Sequence, residues 1–182
     1  MSLKKAAFSG MIWVFADTFI VKGISFIGSI VLARLLVPSD FGLIAMISIF
    51  VAIGTVLLDS GLSSSLIRNV NNDERDYSTI FYVNIIFSII LYIIFFLAAP
   101  FIAKFYNQTI LISLIRVYCL SFFIAALTSV QMTILIKQME FKKIAIANIP
   151  GVIIGSIVGI LMGYNGFGVW SIAAMYLANW IC

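Results

Sequence analysis

No histidine occurs in the 182 residues, and only two cysteines and three prolines do. Without imidazole, the commonest general base and a principal metal ligand are missing. Cys119 and Cys182 lie far apart in apolar surroundings, where cysteine behaves as a small hydrophobe rather than as half of a disulfide or metal site. No zinc or haem ligand set can be assembled, and no cofactor is expected. Charge is scarce as well. Lys, Arg, Asp and Glu make up 10% of the chain, against about 25% in soluble domains. The net charge of +4 does not come from basic clusters interleaved with aromatics, so it does not point to a nucleic-acid partner.

What fills the chain instead is hydrocarbon. Hydrophobic residues account for 63% of it, and the mean hydropathy is +1.19. That composition predicts an all-α, polytopic membrane protein. Six apolar runs follow one another over 8–36, 41–67, 77–103, 110–136, 144–163 and 167–182, each near the ~20 residues needed to span a bilayer as a helix. Pro38, Ser39 and Asp40 mark the first turn, a polar stretch over 71–76 separates the second and third runs, and Tyr164, Asn165 and Gly166 form a short turn before the last. Met1 to Lys5 looks like a signal-peptide n-region. The run behind it is too long and is interrupted by Asp17 and Lys22, so it reads as an uncleaved first helix.

Basic residues orient the runs. Lys4, Lys5, Arg68, Arg75, Lys137, Lys142 and Lys143 fall on one side, with Arg34 and Lys104 opposite and Arg116 a little inside the fourth run. Positive-inside bias then predicts a cytoplasmic N-terminus. Trp13, Tyr77, Tyr106, Tyr164 and Trp170 lie near the ends of the runs, where an aromatic belt belongs.

Three ionisable residues sit where a membrane anchor has no use for them: Asp17, Lys22 and Asp59. A charge at the bilayer centre costs at least about 2.5–3.5 kcal/mol, and such groups usually face a bundle interior or a watery cavity. At ~1.5 Å per residue, Asp17 and Asp59 share a level roughly 14 Å from the cytoplasmic end, with Lys22 deeper. If the first two helices pack side by side, Lys22 is within reach of Asp59. Two readings stay open for the trio: a buried ion pair that locks helices, or a cavity in which Lys22 meets substrate and Asp17 and Asp59 couple an ion. Asn84, Ser88 and Gln131 are polar companions at similar depth, as cavity lining or as helix glue. Arg34 and Arg116, nearer the outer face, either snorkel or clamp an anion. The stretch from Asp59 to Arg68, rich in Ser and Gly, is a portal or a close-packed helix end. Gly151, Gly155, Gly159 and Gly163 recur every fourth residue and form a narrow stripe for close helix packing, or alternatively for sliding.

Several landmarks resemble a known family. Leu32 through Gly42 (LARLLVPSDFG) is similar to the first-hairpin signature of the polysaccharide transport family, the Wzx-type flippases, within the multidrug/oligosaccharidyl-lipid/polysaccharide exporter superfamily. Residues 59–67 (DSGLSSSLI), 76–82 (DYSTIFY), 99–106 (APFIAKFY) and 166–170 (GFGVW) resemble its later landmarks in the same order, most like the lipopolysaccharide and colanic-acid exporter branch. The resemblance covers essentially the whole chain. It implies a non-enzymatic transporter in a bacterial inner membrane, moving undecaprenyl-pyrophosphate-linked oligosaccharide by alternating access between two helical lobes. It makes Lys22, Arg34 and Arg116 the candidate cavity cations and Asp17 and Asp59 the candidate coupling or pairing groups. The expected partners are the lipid-linked substrate, membrane lipids, and the polymerase and chain-length machinery of polysaccharide assembly.

Residues 1–182 are then the N-terminal six-helix lobe, the C-terminal lobe is missing from the chain, and the lobe alone is not expected to flip substrate. A multidrug or organic-cation antiporter of the same superfamily is the nearest alternative, though it would want an acidic cavity. A polytopic enzyme of polysaccharide assembly lacks histidine and long loops to work with, and a passive helical scaffold leaves the buried charges unexplained.

Overall fold

The computed structural model describes residues 3–59, 66 and 74–181, and the side chains of 10–58, 66 and 75–180. All regular structure among them is helical: α1 (Leu3–Leu35), α2 (Pro38–Asp59), α3 (Glu74–Phe105), α4 (Ile110–Tyr118), α5 (Ser121–Lys137), α6 (Phe141–Tyr164) and α7 (Val169–Ile181). Among the described residues, five stretches are long and apolar enough to cross a membrane, namely α1, α2, α3, α6 and the continuous pair α4–α5. The sixth expected span corresponds to α7, with 13 residues. Large apolar side chains such as Phe15, Phe19, Phe101 and Phe105 stand exposed on the outside. In water such a surface would aggregate; in a bilayer it is the correct solvent-facing surface. The chain is a multi-pass membrane protein.

Boundaries differ from expectation in three places, and at one of them Glu74, Arg75 and Asp76 of the expected polar separator already form the start of α3. Pro38, Ser39 and Asp40 do not form a loop before the second helix but its first turn. Proline lacks an N–H that the first turn could not use anyway, and Asp40 complements the positive end of the helix dipole. The fourth run is not one helix. Between α4 and α5 the ladder tightens: Leu120 N–H bonds Val117 C=O at 3.2 Å, and Phe122 N–H bonds Cys119 C=O at 3.1 Å. The Ser121 hydroxyl donates to Tyr118 C=O at 2.7 Å and satisfies a carbonyl at the break. An unbroken apolar run conceals this because hydropathy does not report helix phase.

Three helix ends share one closure. After α3, Gln108 N–H reaches Ala103 C=O and Asn107 N–H reaches Lys104 C=O; Glu140 and Met139 repeat this after α5, and Phe167 and Gly166 after α6. The pattern is the Schellman motif, whose pivot residue must be left-handed. Asn107, Met139 and Gly166 have φ of 53°, 56° and 76°.

Packing divides around α7. One core joins α2, α3, α4, α5 and α7 through Ile47, Phe95, Leu114, Phe122 and Ala173. On the other side α6 lies against both α7 and α1. Side-chain-free surface makes that possible. A Cβ on Gly155 would meet the Met175 carbonyl oxygen at 2.7 Å, and one on Gly159 the Met175 Cβ at 2.7 Å. One on Gly163 would meet Leu32 of α1 at 3.1 Å, and a Cβ on Gly28 of α1 would meet the Ser156 hydroxyl at 3.3 Å. The glycine stripe therefore serves two neighbours: Gly155 and Gly159 admit α7, Gly163 admits α1, and Gly151 is buried beside them.

This arrangement corrects the expectation that α1 and α2, joined by only Leu36 and Val37, pack as neighbours along their length. They meet near the turn, through Leu32, Leu36, Phe41 and Ile44, and beyond it α1 follows α6 while α2 follows the main core. A short connection brings two helix ends together. Which faces then touch is set by where the backbone approaches most closely.

One end of the bundle gathers basic and aromatic side chains from four helices. Lys142 lies over the Trp13 ring at 5.6 Å, Lys137 donates to the Tyr77 hydroxyl at 3.4 Å, and Lys143 pairs with Glu140. The other end brings the α1–α2 and α6–α7 turns together, where a Cβ on Gly168 would lie 3.6 Å from the Asp40 carboxylate.

Candidate functional site

Because α1 and α2 diverge, a space opens between them, with α6 and α7 behind it. It measures about 650 Å³, within the ~300–1,000 Å³ of small-molecule sites. Ser25 of α1, Ser48, Ala52 and Thr55 of α2, Tyr118 of α4, and Ser156, Tyr176, Asn179 and Trp180 of α6 and α7 are among the residues that line it, together with apolar side chains such as Ile44 and Met175. None of the described residues that line it is Asp, Glu, Lys or Arg. Ser48 and Thr55 return their hydroxyl protons to their own helix, bonding Ala45 and Ala52 carbonyls at 2.7 and 2.9 Å. Tyr176 stacks on Tyr118 with ring centroids 4.9 Å apart and planes 24° apart, and the Trp180 ring stands edge-on to Tyr176 at 6.4 Å.

The candidate charges are placed elsewhere. Asp17 belongs to the seam between α1 and α6, where Asn148 Nδ2 donates to its Oδ2 at 3.3 Å. Its Oδ1 is shut off from solvent with no hydrogen-bond partner. Lys22 is exposed on α1. The side chain of Asp59 lies outside the described residues. The expected pairing of Lys22 with Asp59 therefore lies outside the described residues too. The Ser/Gly-rich stretch after Asp59 lies largely outside the described residues as well.

Arg34 is exposed at the end of α1. Arg116 is half-buried with its guanidinium 4.0 Å from the centre of the Phe96 ring, a cation–π contact. Phe96 precedes the end of α3 by nine residues, so Arg116 lies roughly 14 Å inside that end. Asn84 is buried and donates to Ser129 Oγ at 2.8 Å, tying α3 to α5. Ser88, also buried, bonds its own helix, and Gln131 is exposed. None of Lys22, Arg34, Arg116, Asn84 and Gln131 lines the cavity.

Sequence reasoning missed the residues that do. Asn179, Tyr176, Trp180 and Ser156 are visible as polar or amphipathic side chains in apolar runs. Each is unremarkable alone, and only the packing of α6 on α7 collects them. Asn148 stands out in the sequence only for its place before Pro150, and its role as the partner of Asp17 follows from the α1–α6 seam.

A family model described as polysaccharide biosynthesis protein matches residues 31–182. The lipopolysaccharide biosynthesis protein WzxC of Escherichia coli is 26% identical over 155 residues, covering 85% of this chain and 32% of the relative. The teichuronic acid biosynthesis protein TuaB of Bacillus subtilis is 28% identical over 144 residues, covering 79% and 30%. The succinoglycan biosynthesis transport protein ExoT of Rhizobium meliloti is 24% identical over 157 residues, covering 86% and 32%. The chain thus spans about a third of the length of these relatives. No solved structure matches.

Proposed function

We propose, from the premise that this chain belongs to the polysaccharide biosynthesis protein family, that it forms the N-terminal lobe of a transporter. The cargo is a lipid-linked oligosaccharide, on an undecaprenyl-pyrophosphate carrier, moved across a bacterial inner membrane by alternating access against a second lobe. The observation that carries the reading is the cavity between the diverging α1 and α2, a polar-dotted space in a bundle otherwise dressed for lipid. A passive scaffold has no use for such a space. Relatives named for lipopolysaccharide biosynthesis, teichuronic acid biosynthesis and succinoglycan transport support polysaccharide as the cargo class. Lys22 and Arg34, exposed on α1, are the groups available to an anionic carrier. Arg116, engaged with Phe96, is less free to reach it. Polymerase and chain-length proteins are the partners such a transporter would serve.

Charge reversal tests the cargo. In the full-length protein, Lys22→Glu is expected to abolish surface polysaccharide, with lipid-linked intermediates accumulating on the cytoplasmic leaflet. Unchanged polysaccharide with altered efflux of cationic dyes would favour the organic-cation antiporter instead.

The basic end of the bundle is read as cytoplasmic. Single cysteines at Gln138 and Lys142 should then resist a membrane-impermeant maleimide in intact spheroplasts, while cysteines at Gln108 and Asn165 should react. The opposite labelling pattern would invert the topology.

A further inference from the structure

We infer that the cavity between α1 and α2 is a subsite for an uncharged sugar ring, distinct from wherever the charged carrier head binds. The inference rests on the transport reading for the source of the sugar. Its lining explains the assignment. A pyrophosphate needs cations or a row of N–H donors, and the described lining contains no Lys or Arg. A purely apolar ligand would leave the neutral polar groups of Ser25, Ser156 and Asn179 unpaired. A sugar ring satisfies both conditions, because its C–H faces pack on aromatic rings while its hydroxyls take hydrogen bonds at the edge. Tyr176 is held ready to receive such a face. Tyr118 backs it at 4.9 Å and Trp180 stands edge-on beside it, so little side-chain freedom is left to lose on binding. The hydroxyls and amide come from α1, α6 and α7, so the ring's edges are met from three helices.

The location adds a consequence. Ser25 lies on α1 and Ser48 and Thr55 on α2, the pair that meets only near its turn, so the width of the subsite follows the angle between them. A bound ring would hold that angle.

The test is ligand-observed saturation-transfer NMR on the protein at its full natural length in phosphatidylcholine nanodiscs. The probes are methyl glucoside, methyl galactoside and methyl N-acetylglucosaminide, beside cyclohexanol as an apolar ring and glucose 1-phosphate as a charged one. At least one neutral glycoside should saturate, with cyclohexanol and glucose 1-phosphate weaker. Tyr176→Ala should weaken the glycoside about tenfold, while Tyr176→Phe retains most of the affinity because the stacking face remains. Ala52→Phe, which fills the space from an exposed position on α2, should remove binding without touching the core. Failure of every glycoside to saturate, equal binding of cyclohexanol, or tighter binding of glucose 1-phosphate would each overturn the subsite.

Deleting the gene in parallel separates this claim from the transport reading. Lost surface polysaccharide with no glycoside saturation keeps transport and removes the subsite. Glycoside saturation with undiminished polysaccharide keeps the subsite and removes transport.

Discussion

Replacing Gly155 with valine should cost the bundle about 3 kcal/mol or more and separate α6 from α7. The obstacle is steric and has no route for relief. A Cβ at this position would lie 2.7 Å from the Met175 carbonyl oxygen and 3.1 Å from the Asn179 amide nitrogen. Both are backbone atoms of a helix, so they cannot rotate away as a side-chain tip can, and overpacking of this kind typically costs ~1–3 kcal/mol even where neighbours can shift. Gly159→Val should behave similarly, since its Cβ would face the Ser171 carbonyl at 3.1 Å as well as Met175. Gly23→Ala is the control. Nothing lies within 4 Å of its Cβ position, and alanine is the better helix former by ~1 kcal/mol. Thermal unfolding in nanodiscs, followed by tryptophan emission, reads the difference: a large fall for Gly155→Val and no fall for Gly23→Ala. Equal melting of Gly155→Val and the parent would mean that α6 and α7 do not form a tight seam.

The second large effect is expected on transport rather than folding. In the full-length protein, Asp17→Asn should reduce transport to background while stability changes by less than about 1 kcal/mol. The local geometry separates the two quantities. Asn148 donates to Oδ2, and an asparagine oxygen still accepts that bond, as a neutral and weaker partner, so the fastening of α1 to α6 survives. The other oxygen, Oδ1, is enclosed without a partner. A half-satisfied carboxylate inside a lipid-enclosed seam is costly to keep unless its charge is used, and the proposed use is to take up and release the coupling ion. Asp17→Leu should do more: it also strands the half-buried Asn148 amide, at up to about 3 kcal/mol. Lipid-linked oligosaccharide uptake into inverted vesicles measures the first quantity and unfolding the second. Full transport by Asp17→Asn would make the pair a fastener only.

These two positions show how unevenly function is legible. The glycine stripe on α6 is plain from spacing, because repeats of four on a helix define a face whatever lies opposite. Its partners are not plain, since nothing in Gly155 or Gly163 says that one meets α7 and the other α1. Asp17 announces itself by being in the wrong solvent, but the sequence names no partner for it. Asn148, more than a hundred residues away in sequence, is that partner. The cavity is the least legible feature. Its walls are serines, a threonine, an asparagine and aromatics that are individually ordinary in membrane helices.

What the sequence determined alone is what depends on transfer between water and lipid: the helical class, the multi-pass character, and the approximate places of the five long apolar spans. Those choices are local, because each segment must satisfy its own backbone hydrogen bonds within the bilayer. Even the left-handed pivots at Asn107 and Gly166 lie where polar and glycine residues interrupt apolar runs. Only the tertiary structure decided which helix lies on which, and with it the divergence of α1 from α2, the seam that holds Asp17, and the sugar-sized space between. The physical reason is the solvent. Between helices in lipid there is no hydrophobic gain to read from composition, so association follows shape, and shape depends on two surfaces at once.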